Sequence, residues 1–126
     1  MALDNAFAAS ITGKRAACCM KQVGLNVAAD SLMSAAYLGS RGALVIISCD
    51  DPGPNSSQTE EDTCFMARLA KVPVLDPSNP EEARKMVGVA MELSEEFRIP
   101  VVLRPAIRVC HALHPGKPWG RTKASS

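Results

Sequence analysis

Four short polar stretches in this 126-residue chain carry the side chains that do chemistry. Lys21-Gln22-Val23-Gly24-Leu25-Asn26 offers a cation, two amides and a glycine leading into a helix. Backbone N–H groups at such a start receive anionic or polar ligand atoms, although the same string also reads as a plain strand-to-helix turn. Asp50-Asp51-Pro52-Gly53-Pro54 forces a sharp turn and sets two carboxylates side by side, suited to holding Mg²⁺ or to moving a proton. Asn55, Ser56, Ser57, Gln58 and Glu60 follow with many hydrogen-bonding groups, and a solvated turn with a helix cap is their plainer use. Asp76 to Asn79 is the third stretch. The fourth brings Arg104, Arg108 and His111, with His114 three residues on; the two histidines suit acid–base work or ligation, or simply face solvent.

No self-contained catalytic set accompanies them. The chain lacks G-x-x-x-x-G-K-[ST], G-x-G-x-x-G and G-x-S-x-G, so the phosphate loop, the dinucleotide fingerprint and the nucleophile elbow are absent. The five cysteines, Cys18, Cys19, Cys49, Cys64 and Cys110, form no C-x-x-C pair and no zinc-finger spacing. They read as free core thiols of a reduced, cytoplasmic protein, and no iron–sulfur ligand set or other metal site is encoded. A net charge of +1 gives no basic stripe for nucleic acid. No apolar run reaches the length of a bilayer span, and no signal peptide opens the chain.

The elements that must position these stretches alternate between helical and strand-like patterns, the mark of an α/β domain with a mainly parallel sheet and flanking helices in three layers. Leu3, Phe7 and Ile11 share one helical face, and Gly13 can end that helix. Strands are expected at residues 16–20, 43–49, 72–75 and 100–104, the second apolar throughout and so buried on both faces. A helix is expected after Asn26, ending near Gly39. Ser57 and Glu60 have capping-box spacing for another, running to about Ala70. A long helix starts from Ser78 or Asn79 with Pro80 and Glu81-Glu82 in its first turn. Ala83, Met86, Val87, Ala90, Leu93 and Phe97 form its apolar stripe. In an open parallel sheet ligands gather beyond the carboxyl ends of the strands, and each of the four polar stretches follows an expected strand.

Three strings carry a resemblance. Met20 to Asp30, Asp50-Asp51-Pro52-Gly53-Pro54 through Ser56-Ser57-Gln58 and Glu60 to Asp62, and Arg104-Pro105 with Arg108-Val109-Cys110-His111 occur in that order. So do they in the alpha subunits of indolepyruvate ferredoxin oxidoreductases, which Glu92 to Phe97 resembles as well. The similarity runs over about residues 3–112. It implies the thiamine-diphosphate-binding fold of the pyruvate:ferredoxin oxidoreductase superfamily, and within it the domain that covers the aminopyrimidine ring. The family oxidatively decarboxylates arylpyruvates with CoA to aryl-acetyl-CoA, CO2 and reduced ferredoxin.

The resemblance implies that Lys21 to Asn26 lie against the cofactor, with Val23, Gly24 and Leu25 as an apolar cover and Lys21 or Gln22 on polar atoms. It places Asp51, Ser57, Gln58, Glu60, Arg104, Arg108 and His111 at the substrate or at a domain interface. The diphosphate and its Mg²⁺ belong to a partner domain of the same subunit, because the family's Gly-Asp-Gly motif is absent here. The beta subunit and ferredoxin are the further partners, in a dimer or hetero-oligomer, and iron–sulfur clusters and CoA enter only in the complete enzyme. The family's activating glutamate is expected upstream of Met1, which makes residues 1–112 an N-terminally incomplete domain that is inactive alone and 113–126 a flexible tail. Asn55 stands where a His is expected, and Ala106-Ile107 where the family has a Thr-rich pair. The other readings are a free-standing, non-catalytic α/β interaction module and a fragment of a pyruvate or 2-oxoglutarate ferredoxin oxidoreductase.

Overall fold

The computed structural model describes residues 1–53 and 60–115. Its centre is a four-stranded, all-parallel sheet built from β1 (Ala16–Lys21), β2 (Leu44–Cys49), β3 (Val74–Leu75) and β4 (Val101–Leu103), in the spatial order β1-β2-β4-β3. The two longest strands pair in register, Ala16 opposite Leu44 through Lys21 opposite Cys49. The apolar run of β2 is buried on both faces as its composition requires: Leu44, Val45 and Ile46 are all inaccessible to solvent.

Side chains alternate across a strand, and this divides the core in two. Leu44, Ile46, Val102 and Cys18 face one layer made of α1 (Ala2–Ile11), α2 (Gln22–Val27), α3 (Ala29–Leu38) and α4 (Cys64–Leu69), which contribute Leu3, Leu25, Leu32, Ala35 and Ala67. Val45, Val101 and Leu103 face α5 (Pro80–Phe97) on the opposite side, with Ala90, Met86, Val87 and Leu93. The α/β, three-layer arrangement expected from the alternating pattern is therefore present.

The long helix forms for local reasons. Asn79 Oδ1 accepts a hydrogen bond from Glu82 N at 2.9 Å, Pro80 supplies no N–H where none is needed, and Glu81 and Glu82 complement the helix dipole. Ser94 then ties it to the sheet: its Oγ accepts from Leu44 N at 2.8 Å and donates to Ile99 O at 2.7 Å. Phe97, expected on the buried stripe, is instead 60% exposed, because the helix ends there at Arg98 in a left-handed conformation (φ 56°) and the chain turns down into β4. Gly39 (φ 76°) closes α3; a Cβ there would meet Arg98 O at 2.9 Å, so no other residue fits without strain.

Three further expectations are corrected. Gln22 to Val27 is not a loop but a short helix that begins directly after β1. The helix expected from Ser57 starts at Cys64: Ser57 lies outside the described residues, and Thr63 stands at the N-cap, its N–H and Oγ1 given to Asp50 while its carbonyl accepts from Ala67 N. The cysteines are not uniformly core residues. Cys18 is buried, Cys49 and Cys64 are half-buried, and Cys19 and Cys110 are exposed, because α5 covers β2 and β4 but leaves its side of β1 open. A short helix, α6 (Ile107–His111), follows β4; of the expected tail 113–126, only 113–115 fall within the described residues, and they hold no helix or strand.

Candidate functional site

Because every strand runs the same way, all four polar stretches emerge at one edge of the sheet. Three of them meet on Arg104, one residue beyond β4. Its Nε donates to Asp50 Oδ2 at 2.5 Å and its Nη1 to Asp76 Oδ2 at 2.9 Å, while Nη2 lies 3.4 Å from Asp62 Oδ1. Asp50 itself is fully buried. Its carboxylate also accepts from Thr63 N and Thr63 Oγ1, both at 2.9 Å, and from Ser48 Oγ at 3.4 Å. A carboxyl group so enclosed is tolerated only when its oxygens have hydrogen-bond partners. Burial works against the Arg104 charge, but the hydrogen bond to Asp50 and the surrounding carboxylates outweigh it and hold its pKa above the ordinary arginine value. Asp62 is held below the usual carboxylate range, chiefly by the hydrogen bond from Cys64 N, with Arg104 adding to it.

This network consumes the Asp50 carboxylate, so the pair Asp50-Asp51 does not present two free ligands to Mg²⁺. Among the described residues, no group of three or more His, Cys, Asp or Glu side chains could hold a metal ion. The backbone adds to the lock: Asp50 N donates to Pro105 O at 3.3 Å and Ile107 N donates to Asp50 O at 3.0 Å, joining the turn after β2 to the entry of α6. Thr63 and Ser48 escaped notice in the sequence, since a lone hydroxyl near a turn gives no signal until its acceptor is known.

The first stretch behaves differently. On α2, Gln22 and Leu25 point inward and are fully buried, whereas Val23, Asn26 and Val27 face out. Lys21, at the end of β1, is exposed and its Nζ lies 3.7 Å from Asp51 Oδ2. Asn26 Nδ2 donates to Glu61 Oε2 at 2.7 Å, joining α2 to the segment before α4. Gly24 sits over Met20, whose Cβ would be 3.2 Å from any side chain added there. The outward surface of this turn is thus Lys21, Val23, Gly24 and Asn26, with Gln22 and Leu25 supporting it from below.

The remaining candidates are spread along the same edge. Arg108 and His111 are exposed on α6, and Glu60 is exposed ahead of α4; Ser57 and Gln58 lie outside the described residues. His114 Nε2 lies 3.3 Å from Glu81 Oε2 on α5, away from these groups. An open cavity of about 350 Å³ beyond β3 and β4 is lined by Pro52, Asp76, Ser78, Arg104, Arg108 and Val109. A second, of about 380 Å³, lies between α4 and β3, with Asp62, Phe65 and Arg68 in its wall. No helix among the described residues is long and apolar enough to cross a membrane.

No protein-family model matches the chain. Individual proteins do. Over 111 residues it is 54% identical to indolepyruvate oxidoreductase subunit IorA of Methanothermobacter marburgensis, covering 88% of this chain and 18% of that protein. The Archaeoglobus fulgidus IorA subunit is 46% identical over 112 residues, covering 89% and 18%. That of Thermococcus kodakarensis is 50% identical over 112 residues, covering 89% and 17%. The chain spans about a fifth of the length of these curated relatives, each named as one subunit of an oxidoreductase. The resemblance read from the three strings is therefore borne out, and the chain is a homologue of a segment of indolepyruvate oxidoreductase subunit IorA.

Proposed function

We propose that this chain is the pyrimidine-side domain of a thiamine-diphosphate-dependent 2-oxoacid:ferredoxin oxidoreductase, acting on indolepyruvate or another arylpyruvate with CoA. The observation that carries the reading is the 54% identity to an IorA subunit over 88% of the chain. The residues fit a share of the cofactor and not the whole of it. Val23 and Gly24 offer an apolar, close-approach surface beside the Lys21 ammonium and the Asn26 amide, a combination suited to the edge and face of an aminopyrimidine ring. The diphosphate and its Mg²⁺ are assigned to a partner domain.

In this reading thiamine diphosphate, when bound, supplies the electron sink for decarboxylation. The chain's own residues do the positioning. Val23 and Gly24 exclude water from the ring, since a dry surface strengthens every polar contact made beside it. Lys21, steadied by Asp51, and Asn26, steadied by Glu61, hold polar atoms of cofactor or substrate. Gln22 and Leu25 are buried supports and touch neither. Glu60, Arg108 and His111 lie on the face offered to the diphosphate-binding domain or the beta subunit, with Ser57 and Gln58 assigned to the same interface; Arg104 fixes the loops that carry them. Ferredoxin, the iron–sulfur clusters and a cytoplasmic location belong to the complete enzyme.

Thermal unfolding with increasing Mg²⁺ and thiamine diphosphate tests the division of labour. Tight binding to the folded state must raise the melting temperature. The isolated chain is expected to show no shift, and to gain one when a diphosphate-binding domain is supplied. Strong stabilisation of the chain alone would overturn the placement of the diphosphate site elsewhere.

A further inference from the structure

Three thiols gather on the part of the sheet that α5 leaves open. Cys49 ends β2, and the Cys110 Sγ on α6 lies 3.9 Å from its Sγ in a thiol–thiol hydrogen bond. Cys19, on the neighbouring strand β1, also interacts with Cys49. The backbone ladder sets Cys19 opposite Ile47 and Lys21 opposite Cys49, so Cys19 is two residues out of register with Cys49 and fixed there. Cys110 belongs to a five-residue helix whose Ile107 N–H is bonded to Asp50 O, next to Cys49, so a rotation about the Cys110 side chain is what must bring its sulfur from 3.9 Å to bonding distance.

We propose that Cys49 and Cys110 form a peroxide-responsive thiol–disulfide pair that fastens α6 to the end of β2. Cys110 is exposed and Cys49 half-buried, so a peroxide meets Cys110 first. The Cys110 sulfur attacks one peroxide oxygen, the O–O bond breaks, and a sulfenic acid and one water result. The Cys49 sulfur then attacks the Cys110 sulfur and the S–O bond breaks. The departing hydroxide takes up the Cys49 proton as a second water. Two thiols and one peroxide become one disulfide and two waters, with both sulfurs oxidised and both peroxide oxygens reduced.

The order of attack has a second support. Burial, with the neighbouring Cys110 and Cys19, pushes the Cys49 thiol up to about 12, which disfavours Cys49 as the first nucleophile; in the second step its proton passes to the departing hydroxide as the S–S bond forms. Closing the pair would also fix Arg108 and His111, which share α6 with Cys110, against the Asp50 turn.

The full chain, reduced and then treated with a few equivalents of hydrogen peroxide, tests this. Remaining thiols are alkylated and the peptides mapped by mass spectrometry. The expected result is a Cys49–Cys110 cross-linked peptide, loss of two of the five thiols, a monomer on non-reducing gels and full reversal by dithiothreitol. Cys18 and Cys64 stay alkylatable after denaturation. C110S, at an exposed position, should abolish the cross-link while leaving the fold intact, which keeps the test informative if C49S fails to fold. Oxidation of Cys110 to sulfinic acid with Cys49 still reduced, a Cys19–Cys49 link, or a disulfide-bonded dimer would each overturn the proposal.

Discussion

Arg104 and Lys21 are both cations at the carboxyl ends of parallel strands, and each faces an aspartate. Arg104 is 15% exposed, and three carboxylates surround it at 2.5, 2.9 and 3.4 Å, Asp50 and Asp62 from the two ends of the β2–α4 connection and Asp76 from the loop after β3. Lys21 is 48% exposed and has one partner at 3.7 Å. The planar guanidinium, with its fork of donors, can satisfy several carboxylates at once, whereas an ammonium on a flexible stem acts as a mobile point charge. The two residues therefore divide the work along one edge. Arg104 spends its hydrogen bonds inside the protein and fixes where the loops lie; Lys21 leaves its ammonium half in solvent.

The strongest way to break this contrast is Asp50→Ala. It leaves Arg104 without its buried partner and strips the acceptor from Thr63, and removing one member of a buried pair costs about 3–5 kcal/mol. Urea unfolding should show the midpoint falling steeply; a change under ~1 kcal/mol would mean that the Asp50–Arg104 network does not organise the edge. A smaller loss is expected from Ser94→Ala, which orphans Leu44 N under α5 without touching the edge. Its cost should be about 1–3 kcal/mol in the same measurement. An equal or larger loss than for Asp50→Ala would place the critical polar link at the helix and not at the loops.

Lys21→Ala sharpens the other half of the comparison. Breaking a solvent-exposed pair should change stability by less than ~1 kcal/mol. In the complete oxidoreductase, however, the same substitution should lower turnover by about tenfold, equivalent to ~1.4 kcal/mol of lost transition-state contact. Steady-state kinetics would check it; an unchanged rate would make Lys21 a surface residue with no part in the chemistry.

Much of the scaffold was legible in order and spacing. The apolar run of β2, the Asn79-Pro80-Glu81-Glu82 start of α5 and the Gly39 stop after α3 each follow from local rules of burial, capping and backbone freedom, which act within a few residues. The boundaries of α2 and α4 were not legible in this way. Gln22 winds straight into a helix because Leu25 must reach the core beneath β1 and β2, and α4 waits until Cys64 because Asp50, thirteen residues upstream, binds Thr63. Such contacts depend on chain separation that no periodicity encodes.

The candidate site divides along the same line. Residue types alone marked Lys21 to Asn26, the Asp50 turn and Arg104 to His111, and three strings of sequence were enough to tie them to the IorA subunits. Which of those residues face outward was decided only by the tertiary structure. Gln22 and Leu25 turned out to be buried beneath the outward face of α2, the Asp50 carboxylate to be taken up by Arg104 and Thr63, and an uncovered strand brought Cys19, Cys49 and Cys110 together. The physical reason is that sequence fixes what a side chain can do, whereas packing fixes which of its atoms remain free to do it.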